Sequence, residues 1–323
     1  MFKFSLSVRA LRRMVLGLAF ATAGASASGF PDHALTLIVP SVPGGAGDTV
    51  ARVLAEDMSR ILGQSIVVEN RAGAGGIVGA KSVAHAAPDG YTLLFAFDST
   101  LAVSPYLLSK PPYDSEKSFA PIGQVGAVQY TLVAAPDQGI RSVNDLIQQA
   151  KAKPNSIPYA SGGVGSIHQL IMEVFQGKAG ITLQHVPYKA APQGFNDLMG
   201  NHVSVMFIAN GPGLAAASAG KVVALGTAGS QTAPGVPRLG DLVPGFEFES
   251  WFGLFAPEGV PADRLQTLSL ALKQALATPA VQSKMDVAGV VPQWSDGKAM
   301  GERLHRDIGS YRTILKEKGI SLD

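Results

Sequence analysis

Short apolar runs of β character alternate with helical spacing along nearly the whole chain, and the first unit sets the pattern. Leu35-Thr36-Leu37-Ile38-Val39-Pro40 reads as a buried strand, and Gly44-Gly45-Ala46-Gly47 follows as a loop. Val50, Val53, Leu54, Met58 and Ile61 then recur at helical spacing. Residues 65–69 predict a second strand, 77–87 a second helix closed by the turn Pro88-Asp89-Gly90, and 91–97 a third strand. The later part repeats this rhythm. Strands are expected over 130–135, 157–160, 184–188, 203–208 and 222–225, with helices over 143–151, 167–176 and 192–199. The run Trp251-Phe252-Gly253-Leu254-Phe255-Ala256-Pro257 precedes a long amphipathic helix over 262–277, and a last helix covers about 298–318. Such alternation predicts an α/β fold with mainly parallel sheets flanked by helices.

A chain of 323 residues is long enough for two domains. No Gly/Ser-rich or Pro-rich tether separates two halves, so two domains would be joined by ordered strands. Crossovers are expected near 126–130 and 248–254, which makes residues 28–127 with 251–323 one lobe and 128–250 the other.

The first 27 residues carry Lys3, Arg9, Arg12 and Arg13 and no acid. A short apolar stretch over 14–24 follows, and then Ala25-Ser26-Ala27 supplies small residues for a signal peptidase. The apolar run is too short to span a bilayer, which takes roughly 18 or more residues. Export with cleavage near Ala27 is expected. The chain has no Cys, so it has no lipid-attachment site, and the mature protein is expected free in the periplasm. The same absence excludes disulfides, zinc-thiolate sites and a cysteine nucleophile. The whole chain has 26 Lys+Arg against 24 Asp+Glu, so without its basic leader it has a slight acidic excess. Nothing in that balance points to nucleic acid.

Motifs for catalysis are missing. The histidines at 33, 85, 168, 185, 202 and 305 form no pair at i, i+2 or i, i+4, and there is no His-Glu-x-x-His. Ser166 does not complete Gly-x-Ser-x-Gly, because His168 stands at the last glycine position. Gly73-Ala74-Gly75-Gly76 misses the dinucleotide fingerprint, because Val78 stands where its third glycine belongs. These observations favour binding over catalysis.

Two glycine loops share one design. Residues 39–48 and 161–166 each join a strand to a helix, and each would bring glycine amides to the positive end of that helix. Such a place favours a carboxylate or phosphate, outside the carboxyl ends of the strands. The alternative is that the glycines only make tight turns.

The runs Ile38-Val39-Pro40…Pro43-Gly44-Gly45…Asp48…Ala51-Arg52, Val67-Val68-Glu69-Asn70-Arg71…Gly73-Ala74-Gly75-Gly76 and Pro88-Asp89-Gly90-Tyr91-Thr92-Leu93-Leu94 together resemble the periplasmic tripartite tricarboxylate transporter (TctC/Bug) solute receptors. Pro112-Tyr113-Asp114…Phe119-Ala120-Pro121-Ile122, Tyr159-Ala160-Ser161…Gly165-Ser166…His168 and Val186-Pro187-Tyr188-Lys189 extend the resemblance over nearly the whole mature chain. It implies a two-lobed, Venus-flytrap binding protein (type II) without cofactor or metal, expected as a monomer. Its ligand would be a small carboxylate, passed to a two-component membrane permease by hinge closure.

Carried onto this sequence, the resemblance assigns ligand contacts to Ser41, Val42, Pro43, Gly44 and Gly45, with the Gly44 and Gly45 amides donating to a carboxylate. In the second half it assigns Ser161, Gly163, Gly165 and Ser166, the Ser166 hydroxyl either capping its helix or touching the ligand. His168 faces the cleft or its own lobe, Tyr188 walls the pocket or packs, and Asn210 is a candidate wall residue. Asp98, beside Ser99, stands where the family usually has a small neutral residue. Near a carboxylate an ionised Asp98 would ask for a zwitterionic or hydroxylated ligand; alternatively it caps the next turn through its own backbone. Two other functions stay open: a ligand sensor for a signalling system, and an exported hydrolase.

Overall fold

A computed structural model describes residues 29–229 and 233–322. The expected leader and its cleavage point near Ala27 lie outside the described residues.

The first unit forms as its pattern requires. Strand β1 (Leu35–Val39) leads to helix α1 (Ala46–Leu62), which turns Val50, Ala51, Leu54 and Met58 inward. Gly63 ends it at φ 70°, a left-handed conformation that glycine adopts without a Cβ penalty. Strand β2 (Ile66–Asn70), helix α2 (Ile77–Ala84) and strand β3 (Thr92–Phe97) follow. β2 and β3 flank β1 in parallel, with Leu37 between Val68 and Leu93.

A buried segment of two irregular turns, Ser99–Val103 and Ser104–Leu107, leads to β4 (Phe119–Val128). Only Gln129 separates β4 from β5 (Tyr130–Ala134), which belongs to a second sheet. That sheet gathers β6 (Pro158–Ser161), β7 (Gln184–Pro187), β8 (Val205–Ala209) and β9 (Val223–Ala228). Between its strands run α3 (Val143–Ala152), α4 (Ile167–Ala179), α5 (Ala191–Met199) and α6 (Asn210–Ser218). After the short α7 (Leu239–Leu242), β10 (Ser250–Pro257) returns to the first sheet, followed by α8 (Ala262–Ala277), α9 (Pro279–Val287), β11 (Val290–Asp296) and α10 (Gly297–Glu317).

The first sheet has the order β11-β4-β10-β3-β1-β2 and the second β7-β6-β8-β5-β9. The α/β class holds, but the sheets are mixed rather than mainly parallel. β10 inserts between β3 and β4 antiparallel to both, and β11 is antiparallel to β4. β5 is antiparallel to β8 and β9, while the β1–β2, β1–β3, β6–β7 and β6–β8 pairings are parallel. The antiparallel strands are those carrying the chain between the sheets and those pairing with them. A connection that passes straight from one sheet to the next has no helical crossover to reverse its direction.

Trp251, fully buried on β10 opposite Ala127 of β4, donates its indole N–H to Asp307 Oδ2 at 2.7 Å. Arg303, one turn earlier on α10, reaches the Glu249 carbonyl at 3.1 Å and Gln124 Oε1 at 3.1 Å. Helix α10 therefore fastens both segments by which the chain passes between the sheets. In the second half, the Phe175, Phe207 and Phe246 rings pack within 6.1 Å of one another. Burial of such a ring contributes roughly 1.5–3 kcal/mol.

Candidate functional site

The carboxyl ends of β1, β3 and β6 open onto a shared cavity of about 590 Å³, within the usual size range of small-molecule sites. A larger depression, about 810 Å³, lies between Tyr106, Pro111 and the Arg312–Lys316 turn of α10, away from both glycine loops. The candidate site is the smaller space, because strand ends and helix starts from both sheets meet there.

Of the sequence-predicted residues, Ser41, Val42, Ser99, Gly165, Ser166 and His168 line this cavity. Pro43, Gly44 and Gly45 do not; they are exposed, and the Gly44 amide is already engaged. The Gly44 amide donates to Asp48 Oδ2 at 2.9 Å, one turn into α1. Although burial opposes it, Arg52, the Gly44 amide and Asn70 hold the Asp48 carboxyl below its usual range. An ionised side chain thus already neutralises the positive end of α1.

The second loop repeats the construction with one change. The Gly165 amide donates to Gln169 Oε1 at 2.7 Å, so both helices send the third residue of their first turn back to the loop amide just before the N-cap. In α1 that residue is an acid; in α4 it is neutral, and no acid stands in the first turn. The macrodipole of α4 is therefore left uncompensated, and the Ile167 and His168 amides have no acceptor within the helix.

Ser166, the N-cap of α4, makes no capping hydrogen bond, and its Oγ is buried without a partner. His168 Nδ1 is likewise buried and unpartnered, and its ring stands edge-on to Tyr130 at 5.9 Å. Burial pushes the His168 pKa down to about 4, so the imidazole is neutral at pH 7 and offers a hydrogen bond rather than a charge. Two orphaned polar atoms beside an open helix N-terminus can accommodate an anion.

The other predicted residues support the loops instead. Ser161 Oγ accepts the Gly163 amide at 3.1 Å and lies 2.7 Å from His185 Nε2, so Ser161 and Gly163 brace the turn. Tyr188 gives its hydroxyl to Asp197 at 2.8 Å and packs on Ala160 and Gly194, which makes it part of the second core. Asn210 accepts from Thr131 Oγ1 at 2.8 Å and donates its amide to the Gln129 carbonyl, at the junction of β4 and β5. Asp98 is 2% exposed; its carboxylate accepts the Ser99 amide at 2.6 Å and lies 3.4 Å from the Tyr311 hydroxyl. It caps the turn after β3 and does not line the cavity, so the argument it offered for a zwitterionic or hydroxylated ligand lapses.

Sequence reasoning missed the turn Gly73–Gly76, Ser104, Leu107 and Leu322, all of which line the cavity. The glycine cluster was a visible signal: Gly75 and Gly76 have φ of 65° and 93°, and a Cβ on Gly76 would stand 2.5 Å from Thr100 Oγ1. Leu107 and Leu322 carry no signal, because tertiary packing alone brings them there. Among the described residues no group of His, Cys, Asp or Glu is placed to hold a metal ion, and no helix is long and apolar enough to cross a membrane.

Residues 50–320 match the family described as tripartite tricarboxylate transporter family receptor. Protein BugT of Bordetella pertussis is 34% identical over 318 residues, covering 95% of this chain and 97% of its own length. A UPF0065 protein of Pseudomonas sp. (strain P51) is 32% identical over 317 residues, covering 95% and 94%. Among solved structures, the periplasmic binding protein BugD superposes with a TM-score of 0.76 at 30% identity, covering 90% of this chain and 99% of its own. An R. palustris protein with adipate gives 0.79 at 27% identity, covering 90% and 99%, and a Rhodopseudomonas palustris protein with bound malate gives 0.75 at 28%, covering 88% and 100%. The antiparallel passage between two sheets, the paired glycine loops and these matches lead to one conclusion: the chain belongs to the tripartite tricarboxylate transporter family of receptors.

Proposed function

We propose that this protein is a periplasmic receptor that captures a small carboxylate between two lobes and presents it to a two-component membrane permease. The lobes are residues 28–127 with 251–323 and residues 128–250, and closure turns on the β4–β5 junction and the segment before β10. The observation that carries this reading is the uncapped N-terminus of α4, where Ser166 Oγ and His168 Nδ1 are buried without partners beside a cavity shared by both sheets. The ligand carboxylate accepts from Ser166 Oγ, His168 Nδ1–H and the first amides of α4, with Ser41, Val42 and Ser99 closing over it. Adipate and malate in related structures support a carboxylate as the ligand class.

The test is thermal unfolding of the leader-free protein, refolded once to remove carried-over ligand, against a carboxylate panel. A ligand at 100 times its Kd stabilises by about 2.7 kcal/mol. A saturable shift is expected from at least one acid, recovered chemically unchanged. Hydrogen bonds to a charged group are worth about 1.5–3 kcal/mol, so Ser166→Ala weakens binding about tenfold or more. If no carboxylate shifts the midpoint, or Ser166→Ala binds like the parent, the reading fails. Consumption of the acid would instead make the protein an enzyme.

A further inference from the structure

The walls of the cavity are unequal. Among the described lining residues, only those at the start of α4, Ser166 and His168, carry buried side-chain atoms without partners, while α1 is already neutralised by Asp48. Lys189, exposed, is the one cavity residue with a permanent charge among those described. His168 is neutral, and the Ser104 hydroxyl is used on the Gly75 carbonyl at 2.9 Å. Elsewhere the wall offers a second carboxylate the Ser41 and Ser99 hydroxyls and exposed Lys189 as side-chain donors, without a helix N-terminus left open beside them, so its desolvation would be less well compensated.

Much of the rest of the lining is apolar, with Val42, Phe97, Leu107, Val164 and Leu322 supplying the larger side chains. Leu107 is held tightly. Its Cδ1 stands 2.3 Å from where a Cβ on Gly165 would be, so it packs directly on the loop that leads to Ser166. Beyond α10 the chain turns at Gly319, buries Ile320, and lays Leu322 against this wall, the Leu322 amide donating to the Leu107 carbonyl at 2.9 Å. Leu322 is 58% exposed, an apolar side chain held at the cavity by backbone while much of its own surface stays uncovered. A ligand's apolar body would cover it.

We infer that the site takes a monocarboxylate with an apolar alkyl or aryl body, and that Leu322, fixed by Leu107, reads that body. The inference rests on the carboxylate reading above and narrows it. Leu322 sets specificity without touching the carboxylate: it favours a hydrocarbon body and disfavours a second charge beside it.

Titration calorimetry of the leader-free protein with hexanoate, benzoate, adipate and malate provides the test, repeated with Leu322→Ser. Leu322 is exposed and bonded through its backbone, so the variant should unfold at the parental midpoint. Hexanoate or benzoate should bind at least tenfold tighter than adipate and malate. Covering some 40 Å² of Leu322 corresponds to about a fivefold effect, so Leu322→Ser should weaken hexanoate and benzoate about fivefold and leave malate within twofold. Tighter binding of adipate or malate would overturn the inference while leaving a carboxylate receptor. Equal loss for all four acids, or loss for none, would remove Leu322 as the reader of the body. Failure of all four acids to bind would overturn the carboxylate reading together with the inference.

Discussion

Asp98→Asn should make the protein more stable at alkaline pH, although it removes a carboxylate that accepts a 2.6 Å hydrogen bond. Burial pushes the Asp98 pKa from 3.8 up to about 7, and Asp307 adds to the effect; hydrogen bonds from Ser250 and the Ser99 amide, with the more distant Arg303 charge, oppose it. Between about pH 4 and pH 7 the folded protein holds a proton that the unfolded chain has released. Stability therefore falls as pH rises through that window and levels off above it. At 1.36 kcal/mol per tenfold change in proton affinity, the gap amounts to at most about 4 kcal/mol. Asn reproduces the protonated acid: its oxygen keeps the Ser99 amide, and the Ser250 and Tyr311 hydroxyls can rotate to accept from its nitrogen. Urea unfolding of parent and variant at pH 4, 5.5, 7 and 8.5, at constant ionic strength, measures the difference directly. The two should be equally stable near pH 4, and the variant should lead by up to about 4 kcal/mol at pH 8.5. A variant less stable than the parent at pH 8.5, or a difference that does not change with pH, would show that Asp98 is ionised and held by its donors.

Two further outcomes follow from the same structure. Gly165→Ala places a Cβ 2.3 Å from Leu107 Cδ1 at a φ of 73°, so it should cost about 1–3 kcal/mol in a thermal or urea assay. Adding Leu107→Ala relieves the clash but not the backbone strain, so the double-mutant cycle should show positive coupling; strict additivity would mean the contact is not made in solution. Because burial holds His168 neutral down to about pH 4, carboxylate affinity should be flat between pH 5.5 and 8, and a tenfold gain on acidification through 6.5 would mean that a charged imidazole binds the ligand.

Strands dominated by apolar residues, such as β1 and β3, were legible because each is interior to its sheet, β1 between two parallel neighbours and β3 between parallel β1 and antiparallel β10. β4 was not. It runs between β10 and β11 close against its neighbours, and Gly123 and Gly126 are needed because a Cβ there would stand 2.7 Å from the Ser295 and Val291 carbonyls. Close approach of backbones thus replaced the apolar signal. β11 is an edge strand containing Pro292, with a register shift before Ser295, which blurs its alternation. At the site, the sequence located the glycine loops but not which amides were free. That depended on Asp48 and Gln169, one helical turn away, and on their difference in charge. Asn210 and Tyr188 stood at suggestive strand ends, yet their polar atoms are used by Thr131 and Asp197. Which partner a side chain takes is a property of the packed fold.

The chain has two tryptophans, and neither lines the cavity. Trp294 is 36% exposed, with the Lys273 ammonium 4.5 Å from its ring centre, on the edge strand β11. Trp251 is sealed beside the passage between the sheets, its indole tied to Asp307. A ligand in the cavity cannot quench either by direct contact. The fluorescence of Trp251 is instead a built-in optical gauge of the strand pair around which the halves would turn. A blue or red shift on adding a colourless acid would register movement at that pair, and Trp251→Phe should abolish the signal while leaving the acid bound.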